Sequence, residues 1–176
     1  MSASLWVSVK GGGSCHNPNY KGNIFLATSV TKKLDHYKDN WIVWKKRSIE
    51  NYERGYTIPY YGILEGNIIC EATAMVHPKV VQNSDGLVGG HTVYLSAFRT
   101  IDKFQGKGYF SKLFHFMMDD LQQKGFTKAT LGVEPDEEKN KEIYAHYGFT
   151  EYIKSAKEYY PDGTVIDVEY YGKTIA

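Results

Sequence analysis

Thr100-Ile-Asp-Lys-Phe-Gln-Gly-Lys-Gly-Tyr-Phe-Ser-Lys-Leu-Phe-His-Phe-Met-Met-Asp-Asp-Leu121 decides how the rest of the chain is read. An apolar run, Val93 to Phe98, precedes it and has the length of a strand. Within it Phe110, Leu113, Phe114, Met117 and Leu121 recur at intervals of three and four, the period of one helix face. Gln105-Gly106-Lys107-Gly108 lies between strand and helix. Two glycines at such a turn let backbone N–H groups face outward with no Cβ in the way. With a helix dipole behind them, those N–H groups suit a pyrophosphate, and Lys107 can add a charge.

The spacing excludes two phosphate loops. No Gly-x-x-x-x-Gly-Lys-Ser/Thr can be read here, and the third glycine of a dinucleotide fingerprint would fall at Ser111. Gln105-x-x-Gly108-x-Phe110 resembles the Gln/Arg-x-x-Gly-x-Gly/Ala acyl-CoA motif of the GCN5-related N-acetyltransferases. Downstream, Ile143-Tyr144-Ala145-His146-Tyr147-Gly148-Phe149 is similar to that family's Leu-Tyr-x-x-Leu-Gly-Phe. The resemblance covers roughly residues 60 to 172 and is strongest from 93 to 150. Each motif alone is weak. Together, in this order and one helix and one strand apart, they are specific.

Composition narrows the class. At 176 residues the chain is long enough for one domain with a proper core, and a single domain over residues 1 to 176 is expected. Apolar residues make up 42% and charged ones 23%, which fits a globular protein. A net charge of +1, with no basic run longer than Lys45-Lys46-Arg47, argues against a nucleic-acid partner. Cys15 and Cys70 make neither a disulfide framework nor a zinc spacing, so no metal is expected. Cys15-His16 reads as loop, because a metal needs more ligands than two neighbours. The apolar run Leu5 to Val9 is too short for a signal sequence or a membrane span, which predicts a cytoplasmic protein with reduced thiols.

In order, Leu5 to Val9 reads as a strand, and Gly11-Gly12-Gly13-Ser14 breaks the chain. Ile24 to Ala27 can be strand or buried turn. Thr31 to Glu53 has a loose helical pattern that Asp39-Asn40 can split in two. Gly55 to Tyr60 reads as a connector. Tyr61 to Leu64 and Ile68 to Val76 flank Glu65-Gly66-Asn67 as an antiparallel hairpin. Lys79 to Gly90 is a polar excursion, and Gly125 is a C-cap. Phe126 to Val133 must run parallel to Val93–Phe98, because a helix crosses between them. A helix from about Glu137 to Tyr147 ends at Gly148. Two strands, Phe149 to Tyr159 and Val165 to Lys173, meet at Pro161-Asp162-Gly163. The whole is a mixed α/β (α+β) arrangement. It has the element order of the acyl-CoA N-acyltransferase fold: a mostly antiparallel central sheet with one parallel, splayed pair, flanked by helices.

The resemblance implies acetyl transfer from acetyl-CoA, as cosubstrate, to a primary amine of a small molecule or an exposed amino group. The amine attacks directly in a ternary complex. A non-catalytic acyl-CoA-binding module of the same fold is the alternative. In this family pantetheine runs along the splayed strand, which carries over to the backbone of Phe98, Arg99 and Thr100. The pyrophosphate carries over to Gln105, Gly106, Lys107, Gly108, Tyr109 and Phe110. Tyr144, placed early in its helix, matches the usual general acid. Phe110 stands where Gly or Ala is usual, and Glu137 where an asparagine often contacts CoA. Neither a membrane nor nucleic acid is an expected partner, and a homodimer is one option.

The chemistry itself asks for a base. An amine of pKa near 10.4 costs roughly 4 to 5 kcal/mol to deprotonate at pH 7. Glu71, a carboxylate inside the apolar run Ile68-Ile69-Cys70-Glu71-Ala72, is the candidate, against the plainer reading of a solvent-facing strand residue. His77, His91 and Asp102 are weaker candidates in turns. His115 and His146 read as helix-surface residues, and Glu134 as orienting its loop.

Overall fold

The computed structural model describes residues 4–8 and 38–175. The loop around Cys15-His16, the run Ile24 to Ala27 and the start of the first helical stretch lie outside them. Strands β1 (Ser4–Ser8), β2 (Thr57–Leu64), β3 (Asn67–Met75), β4 (Thr92–Thr100), β5 (Lys128–Val133), β6 (Glu151–Tyr159) and β7 (Val165–Thr174) form a sheet ordered β1-β2-β3-β4-β5-β7-β6. Three helices are described: α1 (Lys38–Glu53), α2 (Tyr109–Gln123) and α3 (Glu138–His146). Short 3-10 turns cover Pro78–Val80 and Asp102–Phe104. The expected element order is present, and β4–β5 is the parallel pair. Gly55 to Tyr60 is a connector only in its first two residues, because β2 begins at Thr57 and buries Tyr60 completely. Glu65 and Gly66 both have positive φ, the combination a type I′ hairpin turn requires.

The chain divides into two compact units, Met1–Thr73 with Ala97–Asp119, and Ala74–Ser96 with Asp120–Ala176. In the first, β2 and β3 bury Tyr60, Tyr61, Ile69, Cys70 and Ala72, and α2 buries Leu113, Phe114, Met117 and Met118. Tyr60 meets Phe116 edge to face at 6.2 Å between ring centres. In the second, Val81, Leu87 and Val88 pack with Val168 and Tyr170. The polar excursion of the sequence is therefore a built element. Leu87 is fully buried, and the Thr130 hydroxyl donates to its carbonyl at 2.6 Å. The Gln82 side chain bonds both the N–H and the carbonyl of Tyr159, each at 3.0 Å, as a neighbouring strand would.

Candidate active site

In the first unit the turn Gln105 to Gly108 follows β4 and the 3-10 turn after it. Ala97 has φ 57, a left-handed conformation that costs a residue with a Cβ roughly 1–2 kcal/mol. It lies within β4, soon after the ladder to β5 ends. That ladder pairs Thr92, Val93 and Tyr94 with Lys128, Ala129 and Thr130, while β4 continues to Thr100 and β5 to Val133. Past Thr100, the Gln105 side chain donates to the Thr100 carbonyl (3.1 Å) and to Asp102 Oδ1 (3.2 Å). Gln105 thus braces the turn. Gly106 (φ 69) and Gly108 (φ 77) are both left-handed, which explains glycine at each. Among the described residues, no turn hydrogen bond has the N–H of Gly106, Lys107 or Gly108 as its donor. A Cβ built on either glycine would meet no atom within 4 Å, so the turn opens outward.

Phe110 does not crowd this cradle. Its ring lies 5.4 Å from Phe98 and 6.3 Å from Phe114, turned back into the helix packing. Tyr109 stacks edge to face on Phe104 at 5.8 Å, with the Lys107 ammonium 5.9 Å from the Phe104 ring centre.

Glu71 is buried at 7% exposure, and Arg99 donates to its Oε1 at 2.8 Å. The two lie side by side on β3 and β4, two residues along from the Ile101 N–H to Ile69 carbonyl bond. Burial raises the Glu71 pKa, and the Arg99 charge and hydrogen bond pull it partly back. Burial, then the Glu71 charge, also holds the Tyr61 phenol well above its ordinary value.

In the second unit Tyr144 lies in the last turn of α3, not early in it, because Gly148 (φ 91) stops the helix with its N–H on the Ala145 carbonyl. Its half-buried phenol is pushed up to about 12, by burial first and the Glu137 charge second. Glu137 is the N-cap of α3, with no side-chain cap bond. Two of the weaker candidates, His91 and His77, turn out to hold backbone, while the Asp102 carboxylate accepts from the Gln105 side chain. His91 Nδ1–H donates to the Gly125 carbonyl (2.7 Å), and His77 Nδ1 accepts from the Lys79 N–H (3.2 Å). His115 is exposed and donates to Ser111, and His146 is exposed.

Sequence reading missed the Glu71–Arg99 pair, Ala97, and a phenol group around Tyr170. Tyr170 is fully buried; its hydroxyl accepts from Asn83 Nδ2 (3.2 Å) and donates to Glu158 Oε1 (2.8 Å). Tyr94 lies 6.3 Å from it, ring to ring. Gly132 makes room for both. A Cβ there would come within 2.8 Å of the Tyr94 hydroxyl and 3.1 Å of the Tyr170 ring. Burial, with Glu158, Tyr170 and Tyr144 adding to it, drives the Tyr94 phenol far up.

With this geometry in view, the comparisons decide the family. Residues 29–149 match the acetyltransferase (GNAT) family. The chain belongs to that family. It is an acetyltransferase of the acetyl-CoA-dependent N-acetyltransferase class. Among solved structures, the fold is shared with the ribosomal-protein-S18-alanine N-acetyltransferase of Escherichia coli, at 14% identity and TM-score 0.68. That likeness covers 99% of this chain and 95% of that one. An N-acetyltransferase from Staphylococcus aureus Mu50 is similar at 14% identity and TM-score 0.62, covering 99% and 100%. A ribosomal L7/L12 alpha-N-protein acetyltransferase solved with coenzyme A is similar at 18% identity and TM-score 0.54, covering 74% and 68%. Among curated protein sequences no match is found. Among the described residues, no group of His, Cys, Asp or Glu side chains could hold a metal ion, and no helix is long and apolar enough to cross a membrane.

Proposed function

We propose that this acetyltransferase passes the acetyl group of acetyl-CoA directly to a primary amine, on a small molecule or at an exposed amino group, in a ternary complex. The observation that carries the reading is the turn Gln105 to Phe110, with left-handed Gly106 and Gly108, outward space, and no turn bond donated by Gly106, Lys107 or Gly108. An anion is the ligand such a turn at a helix start favours. Lys107 adds a charge to the pyrophosphate. The backbone of Phe98, Arg99 and Thr100 pairs with pantetheine, and Glu137 stands near the CoA moiety. Phe110, turned inward, removes one reason to prefer a non-catalytic module.

In this reading the amine nitrogen attacks the thioester carbon, and the oxyanion is met by backbone N–H of β4. Collapse breaks the carbon–sulfur bond, and Tyr144 supplies the proton to the leaving sulfur. Glu71, directly or through water, takes the proton the amine loses. Its burial favours that task, since desolvation outweighs the Arg99 attraction. The protein acceptors named for two structural relatives make a peptide amino terminus a sensible member of the acceptor set.

The test is thiol release from acetyl-CoA with a panel of primary amines and peptide amino termini, from pH 6 to 10. Amine-dependent release is expected, and none from any acceptor contradicts transfer. For Glu71→Gln the loss in kcat/KM should be largest near neutral pH and shrink toward the amine pKa. A small, pH-independent loss would remove the base from Glu71.

A further inference from the structure

Glu71 and Arg99 belong to the same compact unit. A buried carboxylate is costly unless it is paired and hydrogen-bonded. Among the described residues, Arg99 is the one hydrogen-bond partner of Glu71, and it donates through Nη1 to Oε1 at 2.8 Å. The two carboxylate oxygens therefore differ. Among the described residues, Ser96 Oγ is the one buried side-chain oxygen or nitrogen that lacks a hydrogen-bond partner. Glu71 Oε2 lacks one as well, so it is not sealed off and reaches solvent. One oxygen is held and the other is open.

The titratable groups around this carboxylate are Tyr61 on β2, Cys70 beside it on β3 and Arg99 on β4, with Tyr52 of α1 near Tyr61. Burial holds the Tyr61 phenol far above its ordinary value and pushes the Cys70 thiol up to about 12, so both are neutral at pH 7. Among the described residues Arg99 is thus the charge that acts on Glu71. Burial favours the protonated carboxyl, and the guanidinium opposes it by charge and by hydrogen bond. A base must be ionised before it can take a proton. Arg99 also stands on β4, whose backbone from Phe98 to Thr100 is given above to pantetheine. Its side chain ties the base on β3 to that strand.

We propose that Arg99 is the positioning residue of the base: its guanidinium fixes Oε1 of Glu71, leaves Oε2 to face the acceptor amine or a water on it, and supplies the charge that keeps the carboxylate ready for a proton. The inference rests on the amine-acetylation reading above and adds a residue to it. The lone pairs of Oε2 are the ones left for an incoming N–H. As that N–H bond breaks, the proton forms an O–H bond at Oε2, directly or through the water. Arg99 itself transfers no proton, because a guanidinium stays charged throughout the working pH range.

The experiment follows the Glu71 carboxyl by carbon NMR in the protein without substrate, and the acid limb of kcat/KM with the best amine acceptor. In Arg99→Gln both should move up together by about 1 to 3 pH units, the usual effect of a neighbouring opposite charge. Arg99→Lys keeps the charge without the planar fork; its carboxyl should titrate close to wild type while kcat/KM falls at every pH. In wild type the Arg99 guanidinium resonances should titrate with the Glu71 carboxyl, a measurement that serves if Arg99→Gln does not fold. A carboxyl titration unmoved in Arg99→Gln, guanidinium resonances indifferent to Glu71, or wild-type kcat/KM for Arg99→Lys overturns the assignment. So does an acid limb that Glu71→Gln abolishes but Arg99→Gln leaves in place, and in that case Glu71 remains the base. If no amine is acetylated, the acetylation reading fails, and the carboxyl titration still decides whether Arg99 governs Glu71.

Discussion

On the proposed mechanism Tyr144 gives a proton to sulfur from a phenol pushed up to about 12. A thiol has a pKa near 8.5, so a completed transfer to free thiolate would be uphill on the order of 5 kcal/mol. The proposed acid role therefore requires transfer as the carbon–sulfur bond breaks, while charge is still developing on sulfur, and not to a finished thiolate. Tyr144→Phe keeps the ring and its packing. Acetyl-CoA affinity and melting temperature should barely move, while kcat falls by about 10² to 10⁴. The deficit should shrink with a thioester whose thiol is more acidic. The raised phenol also means that Tyr144 adds no alkaline limb to kcat below about pH 11, where an ordinary tyrosine would titrate near 10. Rates for Tyr144→Phe equal to wild type would return this residue to packing alone. The tyrosine itself was legible because the Ile143–Phe149 pattern marks it. Its environment was not, since burial and the Glu137 charge depend on how α3 is seated.

Elements were read more surely than the contacts between them. Helix α2 showed itself through the spacing of Leu113, Phe114, Met117 and Leu121, all now buried. The parallel β4–β5 pair followed from the helix that crosses between them. Ala97 left no trace in the sequence, because its left-handed φ is unexpected for a residue with a Cβ. The Glu71–Arg99 pair needed the β3–β4 register, which the long segment between those strands hides. The segment from Lys79 to Gly90 looked like a loop by composition, yet Leu87 and Val88 are core and Gln82 and Asn83 tie it to β6. Phe110 sits on the boundary between element and site. Phe110→Ala should destabilise the fold by about 2 to 3 kcal/mol, below the usual cost of a fully buried Phe, because the ring is half-buried between Phe98 and Phe114. Chemical denaturation reads this directly, and an unchanged midpoint would mean that the ring does not pack as described.

At the scale of the whole chain, fifteen tyrosines give this fold a distinctive weakness in alkali. Tyr61, 4% exposed, and Tyr170, fully buried, both have phenols held well above the ordinary value, chiefly by burial. Above pH 10 the unfolded chain loses those protons and the folded chain keeps them. The folded state then binds more protons, so stability falls as pH rises, by about 1.4 kcal/mol per pH unit for each such group. Melting temperature should stay level through neutral pH and drop steeply above 10, and Tyr170→Phe should lessen the drop; a curve as flat at pH 11 as at pH 8 would contradict the burial of these phenols. The central claim concerns the phosphate turn, and calorimetric titration of acetyl-CoA into wild type and Gly108→Glu tests it most directly. A side chain at 108 meets no atom of the protein within 4 Å of its Cβ, and its left-handed φ costs roughly 1–2 kcal/mol, so the variant should fold. Its carboxylate would stand where the pyrophosphate belongs. The account predicts that Gly108→Glu abolishes acetyl-CoA binding while a short acetyl thioester without the pyrophosphate behaves alike with both proteins; acetyl-CoA affinity equal in the two would contradict it.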